Sequence, residues 1–558
     1  MLTLATRDTM RTLLNAAALQ MVDAQRPAIY FVATDQAARV VTRAEFRAQV
    51  VLYANALAQQ GIRKRDLVVI ARTQDLESVY LFWAALMIGA VPSMFPTLTE
   101  KLDPSIYLRS LAELVRLSEV RAVLTTDDFA PTLRAALSCK VIDTRALNPD
   151  TERTVALYRP QPEQVAFLQH SSGTTGLQKG VALSHQAVLN QIASYSDALR
   201  LSADDVIVSW LPLYHDMGLI AGFILPLVQG VPLVLMSPFD WVQHPALLLR
   251  AIHQHRGTLC WLPNFAYNHM ARRIRERDSD GLSLATMRAF INCSEPVRAD
   301  SHALFLERFR PNGLTEAMLQ TSYAMAENTF AVTQSALGQP VRIDWVDRAQ
   351  LQQALYAQPT APDAPDALPQ VSCGTPIPNT EVKVLDDSGQ PAPERRVGEV
   401  YVRSDCMLSG YYQRPDLQPF DADGWYQTGD RGYLAEGHVY IVGRSKDLII
   451  NAGKNIYPQD VEAAVNEVEG VHAGRAVAFG VPDEREGTEL IAVVAEVDTD
   501  DPTARQAIQQ QIRQRVAGAL GVTVTYVSLV EAGWLIKTSS GKISRARNRE
   551  KWQAMQGS

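Results

Sequence analysis

Short apolar runs alternate with longer amphipathic stretches along the first part of the chain. The apolar runs have the length of strands and include AIYFVA, DLVVIA and RAVLTT, and between them lie stretches with helical spacing, such as RAEFRAQVVLYANALAQQ. This alternation predicts βα units and a largely parallel sheet over residues 27–160. It continues over residues 164–340, where the predicted strands are VIVSWLPL, VPLVLMS, TLCWLP and MRAFINCS. We therefore predict an α/β, multidomain protein whose large N-terminal part contains two wound subdomains packed face to face.

The pattern changes after residue 370. EVKVLDDSGQ, GEVYVRS and GYLAEGHVYIVGR are typical of short antiparallel strands with Asp/Gly turns, and they predict a small β-rich subdomain. Further on, the helices DVEAAVNEV and TARQAIQQQIRQRVAGAL accompany the strands AVAFGV and ELIAVVAEV, which predicts a compact α+β unit. Residues 335–370 end in four prolines within eleven residues, and we interpret this segment as an extended surface connection.

One stretch is apolar enough to raise the question of a membrane span. Residues 219–236 contain Gln229 as their only clearly polar side chain. Pro226, Gly230 and Pro232 interrupt the run, so we predict a buried helix followed by a buried strand, with no transmembrane segment.

Composition and charge narrow the class of protein. A chain of 558 residues with 47% hydrophobic and 20% charged residues is typical of a folded protein with several domains. The net charge of −7 argues against a nucleic-acid-binding protein. The five cysteines are scattered and form no CxxC pair, so neither a disulfide framework nor a zinc site is indicated, and a cytoplasmic protein is expected. Charged residues interrupt the apolar N-terminus, which predicts an amphipathic helix and not a signal peptide.

The stretch HSSGTTGLQKGVALSH, residues 170–185, carries a strong chemical signal. Its glycines let the backbone approach an anion, its hydroxyls add donors and its lysine adds a cation, so the loop suits a polyphosphate. The candidate phosphate ligands are Ser171, Ser172, Gly173, Thr174, Thr175, Gly176 and Lys179. A flexible linker is the alternative. It is not a Walker A loop, because a strand-like run follows the lysine where that motif requires a helix.

Two further strings place polar side chains directly after predicted strands. SWLPLYHDMGL carries His215 beside Asp216, and NCSEPVR carries Glu295 and Arg298. Ligands of α/β sheets bind beyond the carboxyl ends of strands, so both positions suit a binding site. A structural His–Asp pair and a local Glu295–Arg298 ion pair are the alternatives.

Three more strings supply groups that an ATP site needs. In TSYAMAENT, Tyr323 is an aromatic candidate to flank adenine, and Glu327 is the candidate carboxylate for the Mg²⁺ that accompanies ATP. In WYQTGD, Asp430 is predicted on a tight turn, where its carboxylate accepts hydrogen bonds from a ribose diol. In KTSSGKISR, Lys542 is predicted on a Gly/Ser loop that carries an ammonium into a cleft and stabilises charge on an α-phosphate. An ordinary solvated side chain is the alternative for Glu327 and for Lys542.

Together these strings resemble the adenylate-forming superfamily, which includes acyl-CoA synthetases, peptide-synthetase adenylation domains, luciferases and fatty acyl-AMP ligases. Six strings occur in the family's order across residues 160–550. Within the superfamily, LPLYHDMGL, EPVR and AGKNIYPQDVE are most similar to fatty acyl-AMP ligases. The chain departs from the family's usual residues at Gln178, Cys293 and Ala324.

The resemblance implies a domain plan and roles for single residues. It implies a large AMP-binding domain over residues 1–443, a hinge at 444–446 around Lys446, and a small mobile domain over 447–558. The implied catalytic residues are His215, Glu327 and Lys542, with Glu327 also the Mg²⁺ ligand. The implied nucleotide-binding positions, besides the phosphate loop, are Glu295, Pro296, Ser322, Tyr323, Ala324, Met325, Asp430 and Arg444.

The implied activity is ATP-dependent activation of a medium- or long-chain fatty acid to acyl-AMP, with release of pyrophosphate. The acyl group would then pass to the phosphopantetheine thiol of an acyl carrier protein. Fatty acyl-AMP ligases carry an extra segment that restrains the small domain and disfavours CoA, and residues 335–370 are the candidate for it, with a proline-rich loop as the alternative.

Other interpretations remain open at this stage. An acyl-CoA synthetase, an activator of a small aromatic or amino acid, and a catalytically silent adenylate-binding protein would each share parts of the pattern. Four basic residues near the C-terminus are expected to be solvated or to face an acidic carrier protein, namely Arg545, Arg547, Arg549 and Lys551.

Overall fold

The computed structural model describes residues 12–14, 16, 23–98, 104–147, 158–171, 179–451, 454–483, 488–538 and 542–556. Most of the phosphate loop, residues 172–178, and most of the predicted N-terminal helix therefore lie outside the described residues.

The first sheet has seven strands and is parallel except at one edge. Its spatial order is Leu319–Thr321, Ala289–Asn292, Leu259–Leu262, Ile207–Ser209, Leu233–Met236, Pro27–Val32 and Arg39–Thr42, and the last pair alone is antiparallel. Its central strands are buried along their whole length, because helices cover both faces of a parallel sheet. The apolar runs of the sequence therefore predicted these strands correctly.

The second sheet also has seven strands and carries the phosphate loop. Its order is Gly410–Tyr411, Lys179–Ser184, Val165–Ser171, Val91–Phe95, Leu67–Ala71, Ala122–Thr125 and Lys140–Asp143. The last five strands are parallel, and the first three are antiparallel to one another. The short strand Gly410–Tyr411 comes from far along the chain and pairs directly beside the end of the phosphate loop.

Helices fill the space between and around the two sheets. Those of the large domain are Arg43–Gln59, Leu76–Met87, Pro104–Leu117, Ala130–Ala136, His185–Leu199, Leu225–Gln229, Pro238–Gln243, Ala246–His255, Asn264–Arg273, Glu276–Ser279 and Ala299–Phe309. Shorter 3₁₀ turns and π-helical segments are Thr144–Ala146, Met217–Ile224, Arg310–Asn312, Glu316–Met318, Ala326–Asn328, Gln350–Ala354 and Ser445–Asp447.

Helix Leu76–Met87 joins the two sheets into one core. Its ring of Phe82 lies 5.6 Å from that of Phe167 in the second sheet and 5.7 Å from that of Phe223, which belongs to the first subdomain. The predicted face-to-face packing is thus present. Residues 219–236 form helical turns to Gln229 and then strand Leu233–Met236, as predicted, and within the described part of the chain no helix combines the length and hydropathy needed to cross a membrane.

The β-rich subdomain follows as a four-stranded antiparallel sheet. Its order is Thr380–Leu385, Gly398–Ser404, Tyr426–Ala435 and His438–Arg444. Two minor pairs accompany it, Thr333–Gln334 with Thr375–Pro376 and Ile343–Asp347 with Ala367–Val371. Asp430 lies inside a long strand where the pairing register shifts, so its predicted position on a tight turn was wrong.

Residues 335–370, called the insertion below, do not form an extended connection, and that interpretation was wrong. Strand Ile343–Asp347 returns through a helical turn, Gln350–Ala354, to pair with Ala367–Val371. The sequence obscured this pair because its strands are half-exposed, and Pro369 is tolerated in a sheet of only two strands.

The C-terminal α+β unit agrees with its prediction. Strands Val471–Asp483, Thr488–Val497 and Val524–Val530 form its sheet, and Ile449–Asn451 pairs with Lys454–Ile456. Its helices are Pro458–Asn466, Pro502–Leu520 and Arg545–Gln556. A separate apolar core between these elements supports an independent small domain.

Candidate active site

Three of the candidate segments follow strands of the first sheet. Strand Ile207–Ser209 continues into SWLPLYHDMGL at its carboxyl end. Strand Ala289–Asn292 continues into NCSEPVR, and strand Leu319–Thr321 continues into TSYAMAENT. The carboxyl edge of a parallel sheet is where ligands bind in open α/β folds. The fold therefore collects at one edge the groups that the sequence separates.

Lys542 of the small domain reaches this edge. Its Nζ donates a hydrogen bond to the carbonyl oxygen of Ser294 at 2.6 Å. Ser294 also lies beside Met217, with 3.9 Å between the Ser294 hydroxyl and the Met217 sulfur. The small domain thus inserts an ammonium group between two segments of the large domain.

His215 and Asp216 form a partly buried pair at the same place. His215 Nδ1 lies 3.6 Å from Asp216 Oδ1, which also accepts a hydrogen bond from the Met217 N–H at 2.8 Å. Burial opposes ionisation of Asp216, but contact with His215 and the charge of Lys542 outweigh it and lower the pKa of Asp216. The site therefore holds an ionised carboxylate close to the incoming ammonium.

Glu327 lies in a small cluster of tyrosines. Its Oε1 accepts a hydrogen bond from the Tyr411 hydroxyl at 3.2 Å, and that hydroxyl lies 3.1 Å from the Tyr426 hydroxyl. Lys179, at the end of the phosphate loop, places its Nζ 4.9 Å from the centre of the Tyr411 ring. Tyr411 thus contacts both the candidate phosphate ligand and the candidate metal ligand.

The charge on Glu327 has no paired cation among the described residues. Burial, with a small contribution from Asp216, raises the pKa of Glu327. A partly buried carboxylate that is held by neutral hydrogen-bond donors and forms no ion pair is suited to bind a divalent cation.

Asp430 is held from two sides. Its Oδ2 accepts a hydrogen bond from the Tyr323 hydroxyl at 2.5 Å, and its Oδ1 accepts one from Arg444 Nε at 3.1 Å. The charge of Asp430 raises the pKa of Arg444, whose guanidinium remains half-exposed. This arrangement fixes the orientation of the Asp430 carboxylate.

The remaining candidates of the TSYAMAENT loop, Ser322, Ala324 and Met325, form contacts that stabilise the conformation of the loop. The Ser322 hydroxyl donates to the carbonyl of Thr333 at 2.7 Å, and the Met325 N–H donates to the carbonyl of Phe330 at 2.9 Å. Ala324 forms a bridge with Ala331. These bonds hold the loop in shape.

Comparison with known proteins identifies the family. The family model described as "AMP-binding enzyme" matches residues 18–412, and the model "AMP-binding enzyme C-terminal domain" matches residues 453–549. The chain belongs to the AMP-binding enzyme family. The resemblance to the adenylate-forming superfamily that the sequence suggested is therefore confirmed, and so is the predicted α/β, multidomain fold.

Similar proteins place this AMP-binding enzyme near the fatty acyl-AMP ligases. It is 30% identical to long-chain-fatty-acid–AMP ligase FadD26 of Mycobacterium marinum, over 93% of this chain and 92% of that protein. It is 31% identical to a Caulobacter vibrioides protein provisionally named an acyl-CoA synthetase, over 90% of this chain and 89% of that one. A solved structure from a study of fatty acyl-adenylate ligases of E. coli and L. pneumophila superposes with a TM-score of 0.90, at 28% identity, and both chains are covered completely.

The structure decides one site alternative for this AMP-binding enzyme, the local ion pair between Glu295 and Arg298. Glu295 and Arg298 do not pair with each other. Glu295 accepts a hydrogen bond from the Phe265 N–H at 2.9 Å, while Arg298 reaches Gln459 of the small domain. Pro296 between them is exposed.

Two of the four basic C-terminal residues, Arg545 and Lys551, differ from their prediction, whereas Arg549 is exposed as predicted. Arg545 is not solvated, because it pairs with Glu462 at 2.7 Å and with Asp447 at 2.9 Å. Lys551 donates to the carbonyl of Trp534 at 2.7 Å and lies over its ring. The sequence could not indicate these pairs, since each partner comes from a distant segment.

Sequence reasoning also missed Tyr411, Tyr426 and the interdomain role of Arg298. The two tyrosines are uncharged and are two among 18 in the chain, so no local signal distinguishes them. Of the phosphate loop, the structure describes Lys179 and the backbone of Ser171, which end the paired strands Lys179–Ser184 and Val165–Ser171.

Proposed function

We propose that this AMP-binding enzyme joins a medium- or long-chain fatty acid to AMP, releases pyrophosphate, and transfers the acyl group to the phosphopantetheine thiol of an acyl carrier protein. The observation that carries the proposal is the hydrogen bond from Lys542 to the carbonyl of Ser294, beside the His215–Asp216 pair. This contact brings the small domain's ammonium to the edge of the sheet where the acid and the nucleotide would meet.

The first step is an in-line attack of the fatty acid carboxylate on the α-phosphorus of ATP. The bond from the α-phosphorus to the bridging oxygen breaks, and pyrophosphate leaves with the electron pair. No protein nucleophile is required, so the enzyme acts by positioning and by stabilising charge. Lys542 orients the carboxylate and offsets the negative charge that builds up at the α-phosphate, while His215 lies beside the reacting carboxylate.

The nucleotide is held by residues of the large domain and by Arg444 at the start of the hinge. Asp430 accepts the two ribose hydroxyls, with Tyr323 and Arg444 fixing its orientation. Lys179 leaves the face of Tyr411 to bind the terminal phosphates, together with the hydroxyls and N–H groups of the loop from Ser171 to Gly176.

Glu327 is the protein ligand for Mg²⁺. The surroundings of Glu327 fit this role, because a buried carboxylate that is held by neutral donors and paired with no basic side chain accommodates a divalent cation that brings its own waters. When bound, Mg²⁺ neutralises phosphate charge and orients the leaving pyrophosphate.

The insertion supports a carrier-protein thiol as the acceptor. Arg348 of the insertion donates to the carbonyl of Ala519, and the insertion's Gln352 carbonyl accepts a hydrogen bond from Asn455 at 3.0 Å. Tyr457 is buried in an apolar cluster with Val346 and Leu351. These contacts hold the small domain, and we infer that they disfavour the rotated state that CoA-using enzymes require.

A second candidate function is acyl-CoA synthesis, which the name of the Caulobacter relative favours. The two functions share the first step and differ in the acceptor. For either function we place the reaction in the cytoplasm, since all five cysteines are free thiols.

The experiment that tests adenylation is ATP–pyrophosphate exchange with a series of fatty acids from short to long, in Mg²⁺ buffer. We expect exchange that depends on a medium- or long-chain acid. In Lys542→Ala, exchange is expected to fall by about 100-fold or more, because the ammonium acts on developing charge. Exchange with aromatic or amino acids alone would contradict the proposed substrate class.

A further inference from the structure

The segment that receives Lys542 touches the small domain a second time. Arg298 Nη2 donates to the carbonyl oxygen of Gln459 at 3.1 Å and lies 3.8 Å from Asp460 Oδ1. The Arg298 backbone is itself fixed, because its N–H donates to the side-chain oxygen of Asn264 at 3.1 Å. One short stretch of the large domain therefore holds the small domain at two separate points.

Gln459 and Asp460 begin helix Pro458–Asn466, and both face the large domain. Gln459 Nε2 donates to the carbonyl of Val442 at 2.7 Å. Burial raises the pKa of Asp460, and the charges of Arg298 and of Arg348 in the insertion act against that rise. A carboxylate flanked by two arginines of the other domain would lose both partners if the small domain rotated.

The start of this helix is rigidly connected to Lys542. Arg545 Nε and Nη2 donate to the two carboxylate oxygens of Glu462 at 2.8 and 2.7 Å, and Nη1 donates to Asp447 at 2.9 Å. Glu462 belongs to helix Pro458–Asn466, whereas Arg545 follows Lys542 closely along the chain. A bidentate, charge-assisted pair restricts the relative movement of two segments more than a single hydrogen bond does. Fixing the helix start therefore fixes where Lys542 lies.

We propose that Arg298 is a positioning residue for adenylate formation, which holds the start of helix Pro458–Asn466 so that Lys542 reaches the site. It acts through Lys542. The inference rests on the proposed function. It names a second set of contacts, independent of the insertion, that orients the small domain. Arg298 favours the first half-reaction and opposes the rotation that follows it.

The two half-reactions should therefore respond differently to loss of Arg298. A hydrogen bond from a charged donor is one of the stronger kinds, but 34% of the Arg298 side chain is exposed, so solvent screens its ion pair. We expect Arg298→Gln to slow acid-dependent ATP–pyrophosphate exchange about tenfold, with little change in the KM of the acid. Transfer from supplied acyl-AMP to a thiol acceptor should be unchanged or faster.

The matched control is Arg308→Gln. Arg308 belongs to the helix that Arg298 precedes, but its Nη2 donates to the carbonyl of Ile274 at 2.9 Å, inside the large domain. Both half-reactions should stay at wild-type rates in this variant. Asp460→Asn should slow exchange less than Arg298→Gln, because it leaves the Gln459 carbonyl in place. In the double variant, the fold-loss of exchange activity should be smaller than the product of the two single fold-losses, since both substitutions remove the same Arg298–Asp460 contact.

A second measurement reports the orientation of the small domain relative to the large domain. Spin labels at Glu307→Cys in the large domain and Arg513→Cys in the small domain, both exposed positions, give an interdomain distance distribution after Cys139→Ser removes the half-buried native thiol. Arg298→Gln should broaden this distribution or add a second distance, and Arg308→Gln should not.

The outcomes separate the inference from the proposed function. Wild-type exchange and an unchanged distance distribution in Arg298→Gln would overturn the inference, and so would an equal loss in both half-reactions. If the unaltered enzyme shows no exchange with any acid, the proposed function fails, and the distance distributions alone then decide whether Arg298 orients the small domain.

Discussion

Two carboxylates of the site are held by tyrosine hydroxyls. Glu327 accepts a hydrogen bond from Tyr411, and Asp430 accepts one from Tyr323. A phenol fixes the position of a carboxylate without neutralising its charge. Asp430 forms an ion pair with Arg444, whereas no ion pair joins Glu327 to a basic side chain among the described residues. On this difference we propose that Asp430 binds the ribose and that Glu327 binds Mg²⁺.

At Glu327 the account predicts a change in metal requirement. Glu327→Gln keeps the size of the side chain and an oxygen for Tyr411 but removes the negative charge. We expect the Mg²⁺ concentration for half-maximal exchange to rise about tenfold, while the KM of the fatty acid stays the same. Direct titration of Mn²⁺ into the enzyme–ATP complex should show the same weakening.

The control for that experiment is Glu307→Gln, which removes an exposed carboxylate from the surface of helix Ala299–Phe309. Its metal requirement should equal that of the unaltered enzyme. An unchanged Mg²⁺ dependence in Glu327→Gln would show that this carboxylate is not the metal ligand.

At the scale of elements, the chain passes very close to another backbone segment just after the insertion, where Gly374 lies against Gln334. Gly374 follows strand Ala367–Val371 with a φ of +90°, and a Cβ at this position would lie 2.1 Å from the carbonyl carbon of Gln334. Both the conformation and the contact exclude a side chain, because backbone atoms cannot move away as a flexible side chain can. The crossing fixes where the end of the insertion joins the large domain.

Gly374→Ala should therefore destabilise the protein by about 3 kcal/mol, combining the cost of the left-handed backbone with the clash. Gly389→Ala is the matched control, since Gly389 has a φ of +78° but nothing within 4 Å of an added Cβ, and about 1 kcal/mol is expected there. Thermal unfolding of the two variants checks the difference. Equal melting temperatures would refute the close crossing.

The elements also show where sequence reasoning succeeds. Strands such as Leu233–Met236 and Leu259–Leu262 are buried along their whole length, so an uninterrupted apolar run identified them. The insertion's strands are half-exposed and pair across a helical turn, so neither an apolar run nor a hairpin turn signal marked them.

The residues of the candidate site also fall into two groups, those that the sequence indicated and those that it did not. Charged residues in recognisable strings, such as Asp430 and Lys542, could be proposed as site residues from the sequence, because those strings resemble the motifs of a known family. Arg298 and Tyr411 could not be assigned their contacts, because Gln459 and Lys179 come from distant parts of the chain. The pairing of such segments is a property of the tertiary fold.

At the scale of the whole molecule, two domains meet around the site through separate sets of contacts. Lys542 and Arg298 join the small domain to the segment after strand Ala289–Asn292, and Arg348 joins it to the insertion. Hinge rotations break interdomain contacts of this kind, so each set makes the adenylate-forming orientation more stable than the rotated one. On the proposed function, these contacts would favour formation of acyl-AMP over use of free CoA.

The most direct test of this account is a competition between thiol acceptors. The purified enzyme is given Mg-ATP, the fatty acid that supports exchange, and equal concentrations of CoA and a phosphopantetheinylated acyl carrier protein, and products are read by mass spectrometry. We expect acyl-AMP to accumulate with CoA alone and to be consumed when the carrier protein is present, giving acyl-carrier protein with little acyl-CoA. Efficient formation of acyl-CoA would contradict the account and identify the enzyme as an acyl-CoA synthetase.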